Sequence, residues 1–521
     1  MIDRLTSFRT LACTLLLGVL GSGIAHADVT LPTLFGDNMV LQQQTNNKVW
    51  GTADPGEAIT VTFADQKHEA VADESGDWYV ELDPVTGSND PHELKISGNN
   101  ELKFTNVLVG EVWLCSGQSN MQWSVAHSND HDLTLLTQRS PNIRLIQVPL
   151  VGTQEPQSDF KGAWRAADDE NLRWFSAVGF YFGQTLNDVL DVPVGLIMSS
   201  WGGSPAESWM AREVLEQNEI HDYLLQEWDQ KAKEPYDVEA AELLFQEELA
   251  AWKTQVEEAE KNNRIPPSRP WKKPNPLEGQ HRPSNCYNGM IKPLVGYGMR
   301  GCIWYQGESN TWKANHYDTT FAMLIESWRD EWGIGDFSFY WVNLADYATS
   351  DSWKGNHKWP YLREAQTKTL SLPNTGEAVT IDLGEANDIH PRDKEAVGRR
   401  LARIALAQDY GYKKLPYLNP KYESMSVSGN KITLKFVDVG QGLKTVDNDQ
   451  PLGFTIAGKD KEFIPASANI VNRDTIEVWS DRVSKPVAVR YAWEDNPTCN
   501  VYSLERLPLT PFRTDNWAWP F

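Results

Sequence analysis

Residues 110–125 read Gly110-Glu111-Val112-Trp113-Leu114-Cys115-Ser116-Gly117-Gln118-Ser119-Asn120-Met121-Gln122-Trp123-Ser124-Val125. The β-branched and aromatic run from Val107 to Leu114 predicts a buried strand. It stops in small and amide residues, Ser116 to Asn120. A strand that runs into a glycine-containing turn and then a helix puts the turn at the carboxyl edge of a sheet. In open α/β sheets that edge is where ligands bind. Ser119 is therefore a candidate nucleophile, provided a histidine and other helpers arrive from elsewhere in the chain.

Working outward, the chain alternates between strand-like and helix-like segments from residue 107 to about 410. Strands are expected at Val107–Leu114, Ile143–Val148, Val194–Met198, Met299–Trp304, Ser338–Val342 and Ala378–Asp382. Helices are expected between them, for instance at Thr319–Trp332 and Lys394–Asp409. Such alternation argues for an α/β domain with a mostly parallel sheet covered on both faces. Residues 28–106 read as all-β. Short strands there flank the Ala53-Asp54-Pro55-Gly56 and Ser75-Gly76 turns, as in a sandwich. Residues 411–521 are again β-rich, with clean alternation in Lys431–Phe436 and Val487–Tyr491. One polar segment, about 216–283, breaks the rhythm. In it Asp237–Asn263 reads as a long helix with Leu243, Leu244, Trp252 and Val256 on one side, closed by the proline-rich stretch Pro266–Pro276. We read this as an insertion, either a wall of the cleft or a solvated arm, with the arm favoured.

With 521 residues, the chain is too long for one ordinary core. Arg4 and Arg9, the apolar run Leu11–Ile24 and Ala25-His26-Ala27 form a secretory signal peptide over residues 1–27, with a mature start near Asp28. The protein is expected to be periplasmic or secreted. Cys13 lies inside the apolar run rather than after it, which argues against a lipid anchor, and no later segment reads as a membrane span. The net charge of −23 disfavours nucleic acid and anionic lipid as partners. Cys115, Cys286, Cys302 and Cys499 are widely spaced and form no zinc pattern, and no pair of them is singled out for a disulfide. His127 and His131 stand four apart but lack the glutamate of H-E-x-x-H, so no metal site is assigned. The 22 tryptophans hint at sugar-binding surfaces.

Three further segments could meet Ser119 at the sheet edge. Gly195–Ser204 is a strand ending in a glycine-rich turn, where glycine lets an N–H approach a substrate oxygen. Cys302–Asn310 places Gln306, an amide donor, just past a strand, and Glu308 there could hold a neighbour or bind a substrate hydroxyl. Asp388-Ile389-His390-Pro391 offers a base and a carboxylate before a helix.

Together these segments resemble the sialate O-acetylesterase family, within the SGNH (GDSL-type) hydrolases. The matching words are CSGQSNMQW at 115–123, GLIMSSWGGSPAESWM at 195–210, YNGMIKPL at 287–294, WYQGESN at 304–310 and DIHP at 388–391. The resemblance implies a three-layer α/β/α, flavodoxin-like catalytic domain with flanking β-sandwich regions, and ester hydrolysis without metal or other cofactor. It implies Ser119 as nucleophile, His390 as general base and then acid, and Asp388 as the residue orienting His390. The Ser119 N–H, the Gly203 N–H and the Gln306 side chain are implied as the oxyanion hole, with Gly202 competing with Gly203. Trp201, Glu308 and Asn310 are the candidate substrate-binding residues. The wider superfamily's Asp-x-x-His spacing would fall on Asn387 here, so Asp382 and Glu385 stand behind Asp388 as alternatives. The expected activity is a serine carbohydrate O-acetylesterase, acting on O-acetylated sialic acid or on plant hemicellulose such as xylan or xyloglucan. Two rivals are a glycoside hydrolase with paired carboxylates, one of them Glu308, and a non-catalytic carbohydrate-binding protein.

Overall fold

The computed structural model describes residues 28–520, apart from 139, 235, 263, 265, 273, 274, 350, 351, 353 and 354. The expected signal peptide at 1–27 lies outside the described residues. Among the described residues no helix is long and apolar enough to cross a membrane.

The centre of the protein is a parallel sheet. Its strands lie side by side in the order Thr375–Ala378, Ser338–Val342, Gly301–Tyr305, Glu101–Gly117, Val194–Ser200, Ile143–Gln147. Every pairing among these six is parallel. The strands Val194–Ser200, Gly301–Tyr305 and Ser338–Val342 are buried at every position, as parallel strands covered on both faces must be. Alternation along them divides the core. Trp113, Cys115, Ile303, Tyr305, Tyr340 and Val342 pack with the helices Ala177–Leu190 and Lys394–Gln408. Val112, Leu114, Cys302, Trp304, Phe339 and Trp341 pack on the opposite face with Ala314–Trp332 and Trp359–Lys368. Helix, sheet and helix layers result, the α/β class expected. The helices have local reasons to begin and end: the Ser176 and Asp393 side chains cap the N–H groups of Gly179 and Ala396, and Gly333, at φ +65°, closes Ala314–Trp332.

Two strands depart from expectation. The first central strand begins at Glu101, not Val107. Its first six residues are solvent-exposed or half-buried and pair antiparallel with Ser88–Ser97, and it becomes buried only from Val107 onward. The expected boundary at 106/107 thus falls inside one continuous strand, and residues of 28–106 share a core with one face of the central sheet. At the other side, the strand expected at Ala378–Asp382 is Thr375–Ala378. Val379 and Ile381 leave the sheet and bury in the core of the C-terminal β region. That region holds two four-stranded antiparallel sheets and a two-stranded one. It is joined to the α/β part by paired hydrogen bonds from Arg513 to Glu364 and by Arg363 donating to the carbonyls of Glu494 and Asp495.

In the insertion, the helix Val238–Lys261 has no buried residue, and Leu243 and Leu244 are exposed. The proline-rich return folds back on it through Trp252 Nε1–H to the Pro267 carbonyl and Lys272 to Glu242. The two ends of the insertion behave differently and reach the sheet edge described next. Among the described residues, Cys115, Cys286, Cys302 and Cys499 are free thiols.

Candidate active site

The strand Glu101–Gly117 sits between Val194–Ser200 and Gly301–Tyr305, where the chain order across the sheet reverses. A crevice opens outside the carboxyl ends at such a reversal. Gly117 makes the turn there at φ +132°, and a Cβ on it would stand 2.2 Å from the Tyr305 carbonyl oxygen. Only glycine permits both the conformation and the approach. The Gln118 N–H then donates to that same carbonyl at 2.9 Å. A single helical turn, Ser119–Gln122, follows, in which Met121 and Gln122 donate to the Gln118 carbonyl. The Ser119 N–H has no acceptor among the described residues, as first-turn geometry requires.

The structure brings Ser119 and His390 together: Oγ lies 2.9 Å from Nε2. The imidazole stacks on Trp123, with centroids 4.6 Å apart and planes 12° from parallel. Burial first, and the Lys394 ammonium second, push the His390 pKa down, while Asp388 pulls it up. The ring is therefore biased toward the neutral form that can accept a proton. Asp388 Oδ1 stands 3.6 Å from His390 Nδ1, beyond a hydrogen bond but within ion-pair range, and its side chain is 47% exposed. The same oxygen accepts the backbone N–H of His390 at 2.9 Å. The alternatives are committed elsewhere. Asp382 takes two hydrogen bonds from Arg400, and Glu385 is held by Arg392.

At the neighbouring turn, the Gly202 N–H donates to Gln122 Oε1 at 2.9 Å. Gly203, at φ +77°, has an N–H with no acceptor among the described residues. Gly202 is therefore occupied and Gly203 is not. Gln306 departs from its expected place as an oxyanion donor. It is fully buried, and its amide protons go to the Ser204 carbonyl at 3.1 Å and to Asn310 Oδ1 at 2.7 Å. Its Oε1 accepts from Tyr317. With both protons spent, Gln306 supports the turn carrying Gly203 instead of facing a substrate.

The three substrate-binding candidates differ in exposure, Asn310 being buried and Trp201 and Glu308 half-buried. Asn310 is buried, fixed by the Ala206 N–H, Gln306 and Glu207. Trp201 is half-buried and packs on the main core. Glu308 accepts from Asn120 Nδ2 at 2.6 Å, and its Oε2 is shut from solvent without a partner. It holds a neighbour, Asn120. Asn120 also donates to the Ile389 carbonyl at 3.0 Å, and its Oδ1 accepts from Lys394 Nζ at 2.5 Å. Lys394 is fully buried, and desolvation pushes its pKa to about 7; burial likewise raises Glu308. Sequence reading missed this Glu308–Asn120–Lys394 chain beneath the serine. One signal was available: Lys394 is the first residue of its helix, where a cation opposes the macrodipole. His127 and His131 do not share a helix, because Asp130, at φ +50°, separates a 3₁₀ turn from the helix that follows.

A family model described as "Carbohydrate esterase, sialic acid-specific acetylesterase" matches residues 269–407. Sialate O-acetylesterase of Mus musculus is 31% identical to the chain, covering 91% of it and 92% of the mouse protein. The Homo sapiens sialate O-acetylesterase is 29% identical, with 91% and 90% covered. Among solved structures, a carbohydrate acetylesterase from Xanthomonas citri superposes with a TM-score of 0.79 at 35% identity, covering 94% of this chain and 100% of that one. A carboxyl-edge serine paired with histidine and a relationship spanning nine-tenths of both chains lead to one conclusion: the chain belongs to the sialate O-acetylesterase family and is a carbohydrate esterase, a carboxylic ester hydrolase.

Proposed function

We propose that the protein removes acetyl groups from acetylated sugars by a Ser119–His390–Asp388 mechanism. The observation that carries this reading is the 2.9 Å contact between Ser119 Oγ and His390 Nε2 at the sheet's reversal point. Ser119 Oγ attacks the acetyl carbonyl carbon while His390 Nε2 takes its proton. The oxyanion accepts hydrogen bonds from the Ser119 and Gly203 N–H groups, the donors left uncommitted at this edge. The imidazolium returns its proton to the sugar oxygen as the carbon–oxygen bond breaks. Water, deprotonated by His390, then cleaves the acetyl-serine ester to acetate. Asp388 stabilises the imidazolium through space.

The substrates in view are O-acetylated sialic acid and acetylated hemicellulose such as xylan or xyloglucan. The mouse and human relatives are named for sialate, whereas the Xanthomonas citri protein is named for carbohydrate generally. Residues 1–27 are proposed to direct export to the periplasm or beyond, and N-terminal sequencing of the secreted product should begin at Asp28. A glycoside hydrolase reading loses support because Glu308 has no access to solvent through Oε2. Ser119→Ala should abolish acetate release from acetylated xylan and sialoside while leaving the melting curve intact. Residual acetate release near wild-type levels, or release of reducing ends by the variant, would overturn the mechanism.

A further inference from the structure

A cavity of about 390 Å³ opens beside Gly203, within the size range of small-ligand sites. Gly203 lines it, and a Cβ on the preceding Gly202 would stand 3.3 Å from Ser119 Cβ, which sets the cavity one residue along this turn from the proposed nucleophile. Its walls come from three places. The turn after Val194–Ser200 gives Gly203. The turn after Gly301–Tyr305 gives Trp312 and Lys313. The insertion gives Trp228 and Lys231 from the helix Asp222–Lys231, and His281 from its far end. Gln280, beside His281, donates to the Gly202 carbonyl at 3.0 Å, tying the insertion to the turn.

Trp312 is 60% exposed, yet its ring is fixed, because Nε1–H donates to the Ser309 carbonyl at 3.1 Å and the Lys313 ammonium lies 4.4 Å from the ring centroid. Lys313 is in turn anchored to Glu207, a buried carboxylate, at 2.8 Å. Trp228 is half-buried, with the Lys231 ammonium 4.5 Å from its ring. An indole held rigid in water gains nothing for the fold by its exposure. It offers a flat apolar face to a ligand at little cost in conformational entropy. Charge narrows the ligand. Both lining ammonium groups are already paired, Lys231 with Glu227 at 2.6 Å and Lys313 with Glu207. A sugar carboxylate would need an uncommitted cation, and a protein of net charge −23 repels it at long range.

We propose that this cavity is the subsite for the sugar that bears the acetyl group, with Trp312 and Trp228 as stacking faces, and that it selects an uncharged pyranose over a carboxylated one. The inference rests on the esterase reading above and adds the substrate class. The insertion is then a cleft wall at its two ends, and only its long helix is a solvated arm.

The test compares acetate release from a mono-O-acetylated xylo-oligosaccharide, a 9-O-acetylated sialoside and 4-nitrophenyl acetate, using the mature full-length enzyme. The wild type should prefer the xylo-oligosaccharide to the sialoside by tenfold or more in kcat/KM. Trp312→Ala and Trp228→Ala should each lower the ratio of xylo-oligosaccharide to aryl acetate kcat/KM by about tenfold, mainly through KM. Trp312→Phe, which keeps a ring, should recover most of that ratio. A ratio that stays within twofold of wild type in both alanine variants, or a preference for the sialoside, overturns the subsite. Ser119→Ala on the aryl acetate separates the two ideas: activity surviving there refutes the serine mechanism, whereas the ratio reports on the tryptophans alone.

Discussion

Asp388→Asn isolates the charge of the third site residue, because the new amide oxygen can still accept the His390 N–H that Asp388 Oδ1 accepts at 2.9 Å. What disappears is the attraction across 3.6 Å between carboxylate and imidazolium. Unit charges at that separation attract by roughly 1 kcal/mol at the dielectric constant of water and roughly 5 kcal/mol at an effective value of 20. A side chain 47% exposed belongs toward the lower figure. In the proposed mechanism the imidazolium forms on the way to the transition state, so this attraction falls on kcat and kcat/KM rather than on KM. The expected loss in kcat/KM is about 10- to 100-fold, well short of the roughly 10⁴-fold seen when a buried, hydrogen-bonded triad carboxylate is neutralised. The pH profile supplies a second sign. Asp388 is the group that raises the His390 pKa against burial and Lys394. Its neutralisation lets that pKa fall, and the acidic limb of kcat/KM moves to lower pH. Acetate release followed from pH 4 to 8 measures both. A loss near 10⁴-fold would mean that the carboxylate bonds Nδ1 directly during turnover. A loss under twofold with an unmoved limb would mean that another group orients the ring. Either result refutes the through-space account.

Lys394→Met should move the acidic limb the other way, to higher pH, since it removes the cation that lowers the His390 pKa. The same variant bears on stability. The folded-state pKa of Lys394 is depressed to about 7, so between about 7 and its ordinary 10.5 the unfolded chain holds a proton that the folded protein does not. Its contribution therefore makes stability rise with pH through that interval, by up to about 1.4 kcal/mol per pH unit, with the full penalty present below pH 7. Urea unfolding at pH 6 and pH 10 should show a smaller difference in Lys394→Met than in the wild type. Gly117→Ala places a Cβ 2.2 Å from the Tyr305 carbonyl oxygen at φ +132°. A lower Tm is expected from backbone strain of about 1–3 kcal/mol. Because the serine turn must shift, kcat/KM should fall by about 100-fold or more. Wild-type activity in this variant would contradict the close strand approach.

The sheet was legible because burial on both faces forces a strand to be apolar at every position, and runs such as Gly301–Tyr305 and Ser338–Val342 carry that signature in their own residues. The same signature misled at Val379 and Ile381, which are apolar because they bury against the C-terminal β region and not because they continue a strand. It also hid the exposed first third of Glu101–Gly117, which alternates like an antiparallel strand. In the site, Ser119 and His390 were readable from their positions at the ends of segments. Gln306 and Asn310 were not readable as supports, since what fixes their roles is a set of partners, Ser204, Tyr317, Ala206 and Glu207, from separate parts of the chain. Trp312 and Trp228 were lost among 22 tryptophans, because exposure is a property of the fold and not of the residue.

The turn that carries Ser119 explains where positional accuracy resides. Each of its residues holds a different neighbour. The Gly117 carbonyl accepts from Trp201, and the Gln118 carboxamide oxygen accepts from the N–H groups of Gly307 and Ser309. Asn120 ties Glu308, Ile389 and Lys394 together, Met121 sulfur lies 3.5 Å from the Ser176 hydroxyl, and Gln122 holds Gly202. One short turn thus sets the loop of Gly203, the loop after Gly301–Tyr305 and the loop of His390 relative to Ser119. Through the Ile389 carbonyl, Asn120 positions His390 from the serine side, with three buried or half-buried partners. Asp388 positions it from the other side with one backbone contact made in partial solvent. Rigid placement of reacting groups depends on the better-determined side. Loss of the Asn120 carboxamide should therefore cost more activity than loss of the Asp388 charge, which reverses the ranking that a triad drawn from sequence alone would assign.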